Sequence, residues 1–129
     1  MSMYKVDRLN NIIIDKLHTK VVFCRGAADD YKSFAKGKRM SIIKMILKQA
    51  EKGAHFKPYG NGKRCDSPLN NFAKIKSKSL NLRIIYRPRE LKNGVLQMEI
   101  IAIGPRDELK AYNIAAKRLM EFYAEFGKD

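Results

Sequence analysis

Acidic residues are scarce in this chain of 129: 13 Asp and Glu stand against 27 Lys and Arg, leaving a net charge of +14. A balance this basic attracts polyanions, of which nucleic acid is the commonest, and an acidic protein partner would fit as well. Cysteine is nearly absent too. Cys24 and Cys65 match neither a disulfide framework nor a zinc-ligand spacing, so free thiols are expected. His18 and His55 lack a Cys, Asp or Glu in ligand register, so neither a metal nor another cofactor is expected. Nowhere does the sequence approach the ~18 consecutive apolar residues of a membrane span, and its first residues lack the order of a signal peptide. These absences point to a cytoplasmic protein with no membrane partner. Repeats and low-complexity tracts are also missing, while 45% hydrophobic residues suffice for one packed core. Residues 1–129 are therefore expected to form a single domain.

Hydrophobic spacing supplies the elements. Val6, Leu9, Ile13 and Leu17 suggest a helix over residues 4–18, although the β-branched run Ile12 to Ile14 also suits a strand. TKVVFCRG reads as a short buried strand ended by Gly26, and AADDYKSFA as a brief helix ended by Gly37. Met40, Ile43, Ile46, Leu47 and Ala50 form the apolar stripe of a helix from Lys38 to Lys52, stopped by Gly53. Lys57 to Leu69 reads as a loop too polar for the core, carrying Lys57, Lys63 and Arg64. Three strands follow. The first two, 72–79 and 82–87, are joined by a turn at Leu80 and Asn81, a register that sets Lys78 opposite Arg83, Lys76 opposite Ile85 and Lys74 opposite Arg87. Pro88 to Gly94 read as a turn and Val95 to Ile103 as the third strand, with Leu96, Met98, Ile100 and Ala102 on the apolar side. Gln97 and Glu99 fall on the other side, Glu99 as a salt-bridge partner for Arg83. Gly104 and Pro105 stop the strand, and Asp107 caps a final helix burying Leu109, Tyr112, Ala116, Leu119, Tyr123 and Phe126. The expected class is α+β: an antiparallel sheet with N-terminal helices packed on one face and a C-terminal helix, its basic face left uncovered.

Lys74, Lys76 and Lys78 occupy every second position of the first meander strand, so they share one face. Like charges facing each other across strands cost roughly 0.2–1 kcal/mol per pair, which a merely solvated face would have no reason to accumulate. A surface of this kind binds phosphates. If it also offers a proton acceptor and donor beside one phosphate, it breaks a phosphodiester.

KIKSKSLNLRIIYR and EIIAIGPRDELKAYNIAAKRL together resemble the RelE branch of the RelE/ParE toxins of toxin-antitoxin systems. The resemblance is close over residues 72–119 and looser over 20–52, and it leaves residues 1–19 as an extension. It implies a toxin that enters the ribosomal A site, cuts mRNA through attack of the 2′-hydroxyl without a metal, and is silenced by a cognate antitoxin. Matched residue by residue, it implies catalytic roles for Lys74, Lys76, Arg83, Arg106 and Tyr112. Tyr112 would be the general base, Arg106 the general acid or charge stabiliser at the leaving 5′-oxygen, and Arg83 and the lysines phosphate stabilisers. Lys63, Arg64, Lys78 and Arg87 are expected to add RNA contacts. Tyrosine titrates near 10, so such a base needs surrounding cations to lower its pKa. By spacing alone, Tyr112 is equally a core residue of the last helix, and Tyr86 belongs to the core. Two other functions stay open: a ParE-like gyrase poison, which has no need of the full Lys, Lys, Arg, Arg, Tyr set, and a non-catalytic basic nucleic-acid-binding domain, whose affinity would fall steeply with salt.

Overall fold

The computed structural model describes residues 18–128, so the helix expected over 4–18 falls almost wholly outside the described residues. β1 (Thr19–Phe23) leads into α1 (Arg25–Ser33) and α2 (Lys36–Lys52). β2 (Lys63–Arg64), β3 (Ala73–Ser77), β4 (Leu82–Glu90) and β5 (Leu96–Pro105) follow, and a short 3-10 turn leads into α3 (Lys110–Lys117) and α4 (Leu119–Phe126). The sheet runs β1-β5-β4-β3-β2. The class is α+β, as the sequence indicates, and β1 adds a parallel edge to the antiparallel strands.

Boundaries move where side-chain chemistry outweighs glycine. Cys24 caps α1, its thiol accepting from the Ala27 N–H, so Gly26 lies inside that helix and does not end the strand. Gly37 likewise sits inside α2. In α2 the buried set is Ile42, Ile46, Gln49 and Ala50, one step around from the expected stripe, and Met40 is exposed. Gly53 does stop α2, at φ 104, where a side chain would be strained. Pro88 is no turn residue but a buried part of β4. The last β3 pair is Ala73 with Tyr86, so the missing Pro88 N–H faces no neighbouring strand.

β3 and β4 pair two residues out of the expected register, Lys76 with Arg83 and Lys74 with Ile85, joined by four residues ending at Asn81 with φ 52. A slip of two leaves every side chain on its face. Between β4 and β5 the phase changes: Ile85 pairs with Ala102 but Tyr86 with Ile100, so Ile101 is one extra residue, a β-bulge. Ile103 therefore replaces Ala102 on the apolar side, and Ala102 and Gly104 turn to the basic side. The freed Ile101 carbonyl accepts from Cys24 Sγ at 3.4 Å and Arg118 Nη1 at 3.1 Å.

Both faces are covered. Tyr86 reaches α2 through Gln49 and donates its hydroxyl to the Ala54 carbonyl at 2.7 Å; burial pushes its pKa up, as befits a core tyrosine. Its neighbour Arg87 points the other way and meets the rings of Phe122 and Tyr123 in α4. The basic face is thus not open along its length: α3 and α4 lie over its Ala102, Arg87 and Arg89 end. Small residues permit this approach, since a Cβ on Gly104 would stand 3.4 Å from Ala111. The last helix buries Ala111, Ala115 and Phe122, and Leu109 stays 56% exposed. It breaks at Arg118, whose guanidinium is held by Asp30 at 2.6 and 2.8 Å. Asp107 makes no cap and accepts from Asn81 instead.

Gly26 faces this Arg118, and a Cβ there would lie 2.6 Å from its Nε. Helix propensity alone favours Gly26→Ala by ~1 kcal/mol, but displacing a doubly bonded guanidinium costs about 1–3 kcal/mol. The expected net result is a lower midpoint in urea unfolding. A rise would show that Arg118 is free to move.

Candidate phosphate-binding site

Lys74 and Lys76 stand on the basic face of β3, and Arg83 faces Lys76 across the β4 ladder. Lys63 arrives opposite Lys74 from β2. The loop expected over 57–69 is therefore partly sheet, and it is partly core as well, with Cys65 and Leu69 buried. Arg106 follows β5, its N–H bonded to the Asn81 carbonyl at 3.3 Å. The bulge at Ile101 turns Gly104 to the side of Arg83, and Arg106, just past the strand, is close enough to act on Lys76.

These five cations share one field. The Lys76 ammonium is held below its ordinary pKa first by Lys63, then by loss of solvent, Arg106, Lys74 and Arg83. Among the described residues every charge acting on it is positive, so the site is preset for an anion. The Nε–H groups of Arg83 and Arg106 are buried and find no acceptor among the described residues. Burial pushes the Cys65 thiol up to about 11 even though Lys74 and Arg83 oppose the shift, so it remains a thiol.

Tyr112 stands apart from the cation cluster in its contacts. Its hydroxyl donates to the carbonyls of Asp66 and, at 2.8 Å, Ser67. Loss of solvent, Asp66 and Cys65 raise its pKa, the direction opposite to the one that would help a general base. Those two bonds tie the phenol to the 66–67 loop. We predict that Tyr112→Phe slows any cleavage by less than about tenfold, against the ~100- to 10,000-fold of a lost general base; single-turnover rates separate the two.

Three of the four expected RNA contacts lie outside the cluster. Arg87 is buried, bonded through Nε to Glu99 at 2.7 Å, because α4 covers that end of the face. Arg89 also holds Glu99 at 2.7 Å, as does Gln97 Nε2. Glu99 is thus the partner of Arg87 and Arg89, not Arg83. Arg64 points to the opposite face from Lys63, its guanidinium 3.7 Å from the Phe56 ring centroid and bonded to the Asn70 carbonyl. Lys78 lies in the β3–β4 turn, exposed, and is not among the cations acting on Lys76. Only Lys63 joins. Its place opposite Lys74 had no trace in the sequence, because a two-residue strand carries no periodic signal.

Among the described residues no group of three or more His, Cys, Asp or Glu side chains could hold a metal. No helix there is long and apolar enough to cross a membrane. No family model and no curated protein matches the chain. Among solved structures it is similar to the isolated E. coli RelE toxin, at 21% identity, covering 77% of this chain and 96% of that one with a TM-score of 0.49.

Proposed function

We propose that this protein is a metal-independent endoribonuclease toxin, cutting mRNA in the ribosomal A site and neutralised by an acidic antitoxin. The observation that carries this reading is the cluster of Lys63, Lys74, Lys76, Arg83 and Arg106, in which the described charges acting on Lys76 are all positive. The sequence resemblance over residues 72–119 supplies the reaction. The 2′-oxygen attacks the adjacent phosphorus, the bond to the 5′-oxygen breaks, and the products are a 2′,3′-cyclic phosphate and a 5′-hydroxyl. Charge builds on the phosphoryl oxygens in the transition state, where fixed guanidinium and ammonium groups stabilise it without reorganising. Arg83 and Lys74 take these oxygens, the base removes the 2′-hydroxyl proton, and Arg106 stabilises the charge on the leaving 5′-oxygen, which takes its proton from water. We assign the base to Lys76, which stands opposite Arg83 in the ladder and beside Lys74, where the surrounding cations lower its pKa; Tyr112 is engaged with the Asp66 and Ser67 carbonyls instead.

This makes a signed prediction. Lys63 is the foremost cause of the lowered Lys76 pKa, so Lys63→Ala lets it rise and moves the ascending limb of the pH–rate profile to higher pH. An unmoved limb would remove Lys76 as the base. The function itself is tested by primer extension on an mRNA in reconstituted translation, with and without ribosomes. Ribosome-dependent A-site cuts are expected. An intact message, with binding that weakens steeply as salt rises, would instead make this a non-catalytic nucleic-acid-binding domain.

A further inference from the structure

A cleft of about 470 Å³ opens between α2 and the outer edge of β3, around the sheet edge from the cluster. Lys48 and Lys52 enter it from α2, Lys57 from the following loop, and Lys63, Lys74 and Lys76 from the sheet. Among the described residues no acidic side chain lines it. β2 pairs only with Ala73 and Lys74, so beyond Lys74 the outer edge of β3 faces the cleft without a strand partner among the described residues. Six lysines thus border one concavity, and like charges one helical turn apart, as Lys48 and Lys52 are, oppose helix formation. An isolated surface lysine needs no partner, but a concave set of six with no acid among it fits an anion chain.

We propose that this cleft binds an extended single-stranded polynucleotide and leads its backbone into the Lys74–Lys76 cluster. Two observations favour a nucleic acid over an acidic peptide. The first is continuity: Lys63, Lys74 and Lys76 belong to both the cleft and the phosphate cluster, so one strand occupies both. The second is Tyr59, which is 86% exposed in the loop between the two lining residues Lys57 and Asn61. Its ring leans on the His55 imidazole at 5.9 Å, and the loop is fixed by Asn61 N–H to the Gly53 carbonyl at 2.7 Å and Gly62 N–H to the His55 carbonyl at 2.8 Å. Glycine is required at 60 and 62, where a Cβ would approach the His55 carbonyl to 2.5 and 2.7 Å. A rigid loop presenting an aromatic beside lysines is a stacking platform for an unpaired base. The repeat of Lys74 and Lys76 along β3, roughly 6.6 Å, and that of Lys48 and Lys52 along α2, roughly 6 Å, compare with successive phosphates of an extended strand.

The inference rests on the nuclease reading only for the direction in which the strand runs, and binding is measured apart from cleavage. Labelled oligouridylate is titrated without ribosomes into full-length Arg106→Ala protein, across a salt series. Adding Lys48→Ala and Lys52→Ala, both exposed and so expected to fold, should lower the slope of log affinity against log salt by about 1.4, roughly 0.7 per single-strand phosphate contact. Tyr59→Ala should weaken binding about tenfold with the slope unchanged. An unchanged slope in the double lysine variant overturns the proposal, even if A-site cleavage is intact. Polyglutamate displacing the oligonucleotide at equal charge, with Tyr59→Ala silent, overturns it in favour of an acidic peptide. Oligonucleotide binding with these signatures upholds it even where no message is cut.

Discussion

Glu99→Gln is expected to bring the protein close to unfolding in water. The Glu99 carboxylate is fully buried and holds Arg87 Nε, Arg89 Nη2 and Gln97 Nε2, each at 2.7 Å. Neutralising it leaves two guanidinium groups beside a neutral amide, and among the described residues their other partners are the Lys128 and Phe126 carbonyls, at 3.0 and 3.2 Å, and the Phe122 and Tyr123 rings. Breaking a buried ion pair from one side costs about 3–5 kcal/mol, a large part of the ~5–15 kcal/mol that stabilises a domain. Urea unfolding reads the loss directly, and a change under about 1 kcal/mol would show that water reaches the pair. Removing the charges together should recover much of it: Glu99→Gln combined with Arg87→Met is expected to be more stable than Glu99→Gln alone. The network's work is mechanical, because it ties the end of the last helix to the sheet and keeps that helix off the Lys76 end of the face.

On the proposed nuclease reading, Arg106→Ala and Arg83→Ala should each slow mRNA cleavage by about 100- to 1,000-fold, the scale of one positioned donor at a developing anion. Both Nε–H groups are buried with no acceptor among the described residues, so removing either leaves no described buried group newly unpaired, and the fold should hold. Lys78→Ala and Arg64→Ala serve as the contrast, since one sits in a turn and the other on the opposite face. Their effect should stay within about threefold, the scale of exposed charges screened by salt. Quantitative primer extension on the four variants, with circular dichroism to confirm folding, decides the matter. A loss in Lys78→Ala as large as that in Arg106→Ala would break the cluster assignment.

The shared face of Lys74, Lys76 and Arg83 was legible from alternation alone, and it survived a two-residue error of register because the strand period is two. Arg106 was not legible that way. Strict alternation along β5 puts Ala102, and hence Arg106, on the apolar side, and only the resemblance placed it with the lysines. Arg87 looked like one more cation of the strand, but what it meets is set by Phe122 and Tyr123, some 35 residues on in the chain. Tyr112 illustrates the same limit. Its partners are backbone carbonyls 45 and 46 residues away, which no side-chain pattern announces. Helix ends, by contrast, were misread locally: the Cys24 thiol is an uncommon cap, and glycine at 26 and 37 proved compatible with helix.

Ile101 gives the chain a dependence on counting. One inserted residue in β5 decides which side of the sheet receives everything after it, and Cys24 and Arg118 hold the carbonyl it sets loose. A chain shortened by that residue would keep its charge and nearly all of its composition, yet would exchange the faces of Ala102, Ile103 and Gly104 and change the approach of the strand to Arg106. The chemistry of this surface therefore depends on chain length as much as on residue identity. In such a protein a single-residue deletion far from any substrate is a change of function, while a shift of two passes unnoticed.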